Sequence, residues 1–218
     1  MSEWLDWHKG YESHGPLARR LRVVQRLIRT ALDSAPPGPI RVISMCAGDG
    51  RDVLGVLSDH PRRDDVHARL VELEPELVEQ GRSRAARAAL DQVDFMAGDA
   101  STTSAYAGAT PANIVLVCGV FGNITDDDIH RTIDHLPHLC ATNAMVIWTR
   151  GRFAPDLTPA IREWFASAGF TKTEFVAIPK TTMSVGSHRL AAEPRPFQPG
   201  VRLFTFLPRS QRPSSRSR

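Results

Sequence analysis

One short stretch constrains the fold more than any other: the apolar run RVISMC, residues 41–46, leads into the turn Ala47-Gly48-Asp49-Gly50. A β-branched apolar run of this length predicts a buried strand. Glycines in the turn let the backbone approach a ligand closely, and a helix that begins near Gly50 offers free N–H groups. The stretch therefore predicts a strand–turn–helix unit that can bind a ligand.

The rest of the chain repeats this alternation of apolar runs and helical patterns. Four further runs predict strands, at residues 67–73, 93–98, 113–120 and 144–149. Strands that alternate with helices favour a parallel sheet with helices on its faces. Two late runs, 170–178 and 201–206, predict a closing strand pair separated by an irregular Pro-rich stretch.

Helix signals stand between the predicted strands. Apolar residues recur at helical spacing over residues 16–34, which predicts a long first helix. Pro75 and the pair Thr158-Pro159 suit helix starts, because proline is favoured at the first helical position. Thr125 is a good N-cap, and three aspartates follow it where the helix dipole favours negative charge.

Length and composition predict one domain with a buried core, since the 218 residues are 42% hydrophobic and 23% charged. No apolar run approaches the roughly 18 residues of a membrane span, and the first residues lack an apolar signal core. We therefore expect a cytoplasmic protein without a membrane partner. Cys46, Cys118 and Cys140 lack metal-binding spacing, so we predict reduced thiols and no metal site.

The basic character of the chain resides in its last residues. The net charge is +3, and residues 208–218 contain four arginines and no acid, so removing those four charges leaves the rest near −1. A Ser/Arg/Pro segment cannot bury apolar area and predicts a disordered tail. We predict one domain over 1–207, with a helical cap at 1–35 and an α/β core at 40–207. The neutral body gives no reason to expect a nucleic-acid partner.

Acidic residues follow the second and third predicted strands. Glu72 lies 22 residues after Gly50, where a carboxylate can accept both ribose hydroxyls of a nucleotide. Glu74 is on the same strand face and is a rival for this role. Asp99, in a Gly-Asp-Ala turn, can accept from the exocyclic amine of adenine, or it is simply a turn residue or a helix cap.

Small residues follow the fourth predicted strand, in the segment Cys-Gly-Val-Phe-Gly-Asn at 118–123. The ligand crevice of an open α/β sheet lies at the carboxyl ends of the strands, where the strand order reverses. The first and fourth strands flank that point. The segment therefore leaves room for a ligand, with Phe121 as a candidate wall.

Four segments together, VISMCAGDGRD, RLVELEPELVEQGRSRA, FMAGDAS and IVLVCGVFGNI, resemble the class I S-adenosylmethionine (SAM)-dependent methyltransferases. The late strand pair also looks like the ending of that family. The resemblance implies a doubly wound, mostly parallel seven-stranded Rossmann-like sheet with an antiparallel last strand and an N-terminal helical cap. It also implies SAM as the cofactor and methyl transfer as the activity.

The resemblance assigns roles residue by residue. Gly48 and Gly50 lie under the methionine part of SAM, Glu72 holds the ribose, and Asp99 reads adenine with Ala100 beside it. The implied cofactor-binding residues are Tyr11, Cys46, Ala47, Gly48, Gly50, Glu72, Leu73, Asp99, Ala100, Cys118 and Gly119.

The sequence departs from the family pattern at two positions in the first strand. Ser44 stands where the family has an acid, and Cys46 stands where it has its first glycine. Ser44 cannot anchor the methionine ammonium by charge, so we expect the backbone carbonyls of Cys46 and Cys118 to receive it. The N-terminal segment is similar to the family's cap, which makes Trp4, Trp7 and Tyr11 lid candidates, and Tyr11 or Arg19 candidates for the methionine carboxylate.

No catalytic triad is required, because methyl transfer from a sulfonium is an in-line displacement in which the protein mainly aligns the acceptor and excludes water. His14 and His188 are weak candidates for a base, since they lie in regions that could cover the pocket. Arg150 and Arg152 follow the fifth strand and could recognise an anionic acceptor. An Asn/Asp-Pro-Pro-Tyr/Phe loop is absent after the fourth strand, which leaves a small-molecule acceptor as our expectation.

Two other functions stay open at this point. A nicotinamide-dependent oxidoreductase shares the strand, turn and ribose acid, but its GxGxxG turn would place glycine at Val53. A SAM-binding regulatory module without catalysis is the second alternative, suggested by Ser44 and Cys46.

Overall fold

The computed structural model describes residues 15–212. The predicted lid residues Trp4, Trp7 and Tyr11 and the candidate base His14 lie outside this range. Seven strands form one sheet: β1 Ile40–Met45, β2 Val66–Glu72, β3 Val93–Ala97, β4 Ala112–Val117, β5 Cys140–Gly151, β6 Phe170–Ala177 and β7 Met183–Leu190. Their order is β3-β2-β1-β4-β5-β7-β6, and β7 is antiparallel to both neighbours. This confirms the doubly wound sheet with an antiparallel last strand.

Helices cover both faces of the sheet. They are α1 Pro16–Ser34, α2 Arg51–Leu57, α3 Pro75–Arg87, α4 Asp126–His135 and α5 Thr158–Ser167. The apolar sides of α1, α2 and α3 share one core cluster, and those of α4 and α5 share a second cluster on the other face. The long first helix is thus part of the layer that also contains the helix after the glycine turn.

The helix starts follow the signals in the sequence. Thr125 caps α4, because its hydroxyl oxygen accepts a hydrogen bond from the backbone N–H of Asp128 at 3.1 Å. Prolines occupy the first turns of α1, α3 and α5. Gly169 follows α5 with a φ of +89°, the left-handed conformation that suits glycine beyond a helix end.

The last strand is not the one that the sequence predicts. Residues 201–206 form only isolated bridges, Thr102 with Arg202 and Ile124 with Phe206, whereas β7 lies in the stretch expected to be irregular. Polar residues hide β7 in the sequence, yet the strand is buried on both faces. Ser184 donates to the carbonyl of Arg150 at 2.8 Å, so a buried hydroxyl is satisfied by the neighbouring strand.

Residues 201–207, which we name the C-terminal strap, run along the carboxyl ends of the strands. The N–H of Leu203 donates to the carbonyl of Ser101 at 2.7 Å, and that of Leu207 donates to the carbonyl of Asn123 at 2.8 Å. Leu203 and Phe204 are fully buried. The strap therefore ties together the segments that follow β3 and β4, at the sheet edge where ligands bind in such folds.

The two ends of the domain were predicted as a helical cap and a disordered tail. Within the described residues, α1 is held to the body by a bidentate ion pair from Arg26 to Glu174. Residues 209–211 form a short 3₁₀ turn, and residues 213–218 lie outside the described chain. No helix between residues 15 and 212 is both long and apolar enough to cross a membrane.

Candidate functional site

The turn after β1 places three residues in the left-handed backbone region. Gly48 has a φ of +59°, Gly50 a φ of +68°, and Cys46, which stands at the family's first glycine, a φ of +54°. A Cβ on Gly50 would lie 2.5 Å from the ring of Phe95 and 2.7 Å from Leu70, so this position has no room for a side chain. Gly48 and Gly50 therefore suit the left-handed backbone of the turn, and Gly50 is also required because a side chain would not fit there.

Glu72 joins the end of β2 to this turn. One carboxylate oxygen accepts from the N–H of Gly48 at 2.8 Å, and the other accepts from the N–H groups of Leu73 and Glu74, both at 2.9 Å. A carboxylate has about four acceptor positions, so three backbone donors leave capacity for a ligand hydroxyl. The rival, Glu74, is the N-cap residue of α3, and no such contact ties it to the turn. The geometry favours Glu72.

Leu73 is exposed at the same edge. Its exposed fraction is 71%, and no other large hydrophobic residue among the described ones is exposed. An isolated exposed leucine beside a buried carboxylate offers a flat apolar ligand, such as a purine, a surface to pack on.

Asp99 lies after β3 with a half-exposed carboxylate. It accepts from the N–H of Ser101 at 2.9 Å and lies 3.4 Å from the guanidinium of Arg202 on the C-terminal strap. Partial burial alone would raise the pKa of Asp99, but the hydrogen bonds from Ser101 and the charge of Arg202 outweigh it and lower that pKa. Asp99 is therefore ionised at neutral pH, next to buried Ala100.

The segment after β4 opens a space beside the glycine turn. Gly119 has a φ of +81°, and its N–H donates to the hydroxyl oxygen of Thr149 on β5 at 2.9 Å. A Cβ on Gly119 or on Gly122 would meet no atom of the described chain within 4 Å. Asn123 closes the segment by donating to the carbonyl of Gly119 at 2.6 Å.

The three thiols are free and unreactive. Burial raises the pKa of Cys46, and the negative charges of Glu72 and Asp99 add to the rise. Burial also raises the pKa of Cys118 and of Cys140. The raised pKa values keep all three thiols protonated at neutral pH, the form in which a thiol is a poor nucleophile.

Two acids of this region escaped the sequence interpretation. Asp49 is fully buried and pairs with Arg51 at 2.7 Å and with Arg84 at 3.0 Å, which ties α2 to α3.

The second acid is Asp52. Burial raises the pKa of Asp52 to about 6; the charge of Asp49 adds to this rise, and the charge of Arg20 on α1 opposes it. The charge of Asp52 also raises the pKa of the Cys118 thiol, which follows β4. An acid two residues after a glycine turn carries no distinctive sequence signal.

His188 does not lie near the crevice. It is fully buried on β7, paired in register with Val146, and its ring stacks on Phe165 with centroids 4.2 Å apart. The indole N–H of Trp148 donates to its Nδ1 at 3.1 Å. Burial lowers the pKa of His188 to about 4, with the charges of Arg162 and Lys172 adding to the effect. The prediction that this segment covers the pocket is wrong, because the segment is a central strand.

The other candidates are distributed between the crevice and the surface. Arg19 lies on α1, and its buried Nε has no hydrogen-bond partner within the described part of the chain. Arg150 is buried near the end of β5, and Arg152 donates to the carbonyl of Thr181 at 3.0 Å. His130 is exposed on α4, and its ring stacks on that of Trp164. Between residues 15 and 212, no cluster of His, Cys, Asp or Glu is able to hold a metal ion.

The sequence and the fold agree on a class of protein. Residues 14–168 match the family model described as "Putative methyltransferase". This is more than half of the chain, so the chain belongs to that family. The predicted resemblance to the class I methyltransferases is confirmed, and no curated protein matches the chain in sequence.

Solved structures share the fold at low sequence identity. Magnesium protoporphyrin IX methyltransferase from Synechocystis PCC 6803, with bound SAM, is 14% identical over 86% of this chain and 91% of its own, with a TM-score of 0.66. The 1,6-didemethyltoxoflavin-N1-methyltransferase of Burkholderia thailandensis, with S-adenosylhomocysteine bound, is 19% identical over 87% of both chains, with a TM-score of 0.58. An O-methyltransferase family protein from the same organism is 16% identical over 82% of this chain and 61% of its own, with a TM-score of 0.58.

Proposed function

We propose that this methyltransferase binds SAM along the carboxyl ends of β1, β2 and β3 and transfers its methyl group to a small-molecule acceptor. The observation that carries the proposal is the carboxylate of Glu72, which connects the glycine turn to the exposed Leu73 and keeps acceptor capacity. The solved methyltransferases of like fold that hold SAM or S-adenosylhomocysteine support the same cofactor.

The nucleoside half of the cofactor would lie between β1 and β3. Glu72 accepts from the ribose hydroxyls, Leu73 packs on the adenine, and Asp99 accepts from the exocyclic amine. Asp99 suits this role because its carboxylate is ionised and half exposed. The neighbours are half-buried Ala47 and buried Ala100, whose small side chains leave the edge open for a planar ligand.

The methionine half would lie over the turn after β1. Ser44 is buried within the strand, so it contributes no charge to this end. We infer that Asp52 receives the ammonium, together with the backbone carbonyls of Cys46 and Cys118. Arg20 is the cation whose charge acts on Asp52, and it suits the methionine carboxylate. Gly119 leaves the space into which the sulfur end would extend.

The bound sulfonium would supply an activated methyl group, which needs only an aligned nucleophile and a dry environment. The chain contributes alignment through the loop after β4, which Thr149 and Asn123 fix by hydrogen bonds. The C-terminal strap covers the adjacent edge with buried Leu203 and Phe204, and thereby excludes water. A small-molecule acceptor is supported by the 1,6-didemethyltoxoflavin bound to the similar Burkholderia thailandensis enzyme.

Calorimetric titration with SAM, S-adenosylhomocysteine and NAD tests the proposal. We expect SAM and its demethylated product to bind, NAD not to bind, and Asp99→Ala to weaken SAM binding roughly tenfold. Thr171→Ala, an exposed change on β6, is the matched control and should leave binding unchanged. Binding of NAD alone would point to an oxidoreductase. Tight SAM binding without methyl transfer to any acceptor in a small-molecule screen would leave a regulatory SAM-binding module.

A further inference from the structure

We propose that Arg150 is the anion-binding residue of the acceptor site and that the methyl acceptor carries a carboxylate. This inference rests on the proposed methyl transfer and names a substrate class for it. Arg150 lies one residue before the end of β5, on the β4 side of the crevice, away from the Glu72 and Asp99 positions that suit the nucleoside. It therefore faces the part of the edge that remains for the acceptor.

Arg150 is a buried cation with unfilled donors. Its exposed fraction is 8%, one Nη donates to the carbonyl of Phe121, and its buried Nε has no hydrogen-bond partner in the described part of the chain. Within residues 15–212 it forms no ion pair with a carboxylate. A buried charge is normally paired, because desolvation is costly. The guanidinium therefore keeps unfilled donors that an anionic ligand would accept from.

Other arginines of the described chain show what is particular to Arg150. Half-buried Arg62 donates to the carbonyls of Ala35, Pro36 and Gly38 at 2.6 to 3.0 Å and pairs with Asp65 at 2.9 Å. Arg152 has an unpartnered buried Nε like that of Arg150, but as a residue it is only half-buried. Arg150 combines an unpartnered Nε with burial of the whole residue, so its charge has the greater need of a partner.

Two carboxylates act on Arg150 without forming an ion pair with it in the described chain. Burial lowers the pKa of Arg150, while the charges of Asp126 and Asp156, at the start of α4 and just before α5, oppose this effect. Asp156 is already occupied, because it accepts from the N–H and the hydroxyl of Thr158 at 2.9 and 2.8 Å. The burial outweighs both charges, so the guanidinium is only partly compensated.

Space for a ligand exists next to the guanidinium. Phe121, whose carbonyl Arg150 contacts, lies between Gly119 and Gly122, and neither glycine has an atom within 4 Å of the place where a Cβ would stand. The planar guanidinium matches a carboxylate in a two-point contact, which a lysine ammonium does not reproduce. A carboxylate held there would place the rest of a small acceptor toward the crevice beside Gly119.

Thermal shift and calorimetry on the protein saturated with S-adenosylhomocysteine test this inference. The probes are small aliphatic and aromatic carboxylic acids, each paired with its neutral primary amide. We expect at least one acid to bind roughly tenfold or more tighter than its amide, and Arg150→Gln to abolish that preference. Arg150→Lys should restore only part of it. Arg162→Gln, which removes an equal charge from a half-buried arginine on α5, should retain the full preference.

The outcomes separate this inference from the proposed function. If the wild-type protein did not bind S-adenosylhomocysteine, the proposed function itself would be wrong. Normal S-adenosylhomocysteine binding without any preference for an acid over its amide would overturn the role of Arg150 alone, as would an unchanged preference in Arg150→Gln. Retained S-adenosylhomocysteine binding in Arg150→Gln shows that the variant is folded.

Discussion

The two halves of the ligand edge are built differently. On the β1–β3 half, most contacts of the two acids are local: Glu72 accepts from the next two backbone N–H groups and Asp99 from Ser101, beside the longer-range contacts with Gly48 and Arg202. On the β4–β7 half, contacts join distant parts of the chain, as between Arg150 and Phe121. On the β1–β3 half (the local half), the carboxylates accept hydrogen bonds mainly from backbone N–H groups. On the β4–β7 half (the distant half), the buried side chains of Arg150 and His188 each keep a nitrogen without a hydrogen-bond partner in the described chain.

Under the proposed function, this difference separates cofactor binding from acceptor choice. The local half presents a rigid set of backbone donors and carboxylates that suits an invariant cofactor. The distant half is formed by a loop, the C-terminal strap and side chains of β5, so its shape can change without disturbing the glycine turn. Binding and stability experiments can therefore treat the two halves as separable.

The largest effect is expected on the distant half, at His188. Its folded-state pKa of about 4 lies below the ordinary 6.5, because burial disfavours the charged ring. The folded state thus binds fewer protons, so the stability that neutral His188 contributes is complete above pH 6.5 and is lost as the pH falls toward 4. The full loss approaches ~3 kcal/mol, and urea unfolding between about pH 7 and pH 5 should show about 2 kcal/mol of it.

The control for His188 is His188→Gln, which keeps an acceptor for the indole N–H of Trp148 but does not titrate. The raised pKa of Asp52 acts in the opposite direction, since its folded state binds more protons near pH 5. The difference between wild type and His188→Gln therefore isolates the histidine. If the free energy of unfolding depended equally on pH in the two proteins, the predicted contribution of the His188 ring would be wrong.

On the local half, Glu72→Ala should weaken SAM binding roughly a hundredfold, because hydrogen bonds to a charged group are worth about 1.5–3 kcal/mol. The variant removes the ribose acceptor and also releases the N–H of Gly48. Glu74→Ala is the matched control and should change the calorimetric Kd less than about twofold. A larger loss in Glu74→Ala than in Glu72→Ala would assign the ribose role to Glu74 instead.

The same division explains what the sequence could predict. Glu72 and Asp99 each follow a predicted strand and accept from N–H groups one or two residues further on, so their place at the sheet edge could be predicted from spacing, but their contacts with Gly48 and Arg202 could not. The strand β7 was missed because its Ser184 and His188 have hydrogen-bond partners on β5, which no local pattern reveals. The strap was mistaken for a strand because its apolar residues are buried by loops that follow β3 and β4.

A smaller effect is expected at Asp52, at the junction of the two halves. With a pKa of about 6, its carboxylate is ionised above pH 6 and becomes protonated below it. If it receives the ammonium, SAM affinity should fall roughly tenfold between about pH 8 and pH 5, and Asp52→Asn should remove this dependence. The control ligand is 5′-methylthioadenosine, which has no ammonium. A pH dependence shared by both ligands would contradict the assignment.

The smallest effect is expected at Cys46, on the local half. A side chain in the left-handed region costs roughly 1–2 kcal/mol, and the greater flexibility of glycine in the unfolded chain offsets up to about 1 kcal/mol of the gain from removing it. Cys46→Gly should therefore stabilise the protein by up to ~1 kcal/mol in urea unfolding, with SAM affinity changed less than about threefold. Cys46→Val should destabilise it, because a β-branched residue is poorly tolerated at φ +54°. A Cys46→Gly variant that unfolds more readily would mean that the packing of the thiol against the core outweighs its backbone strain.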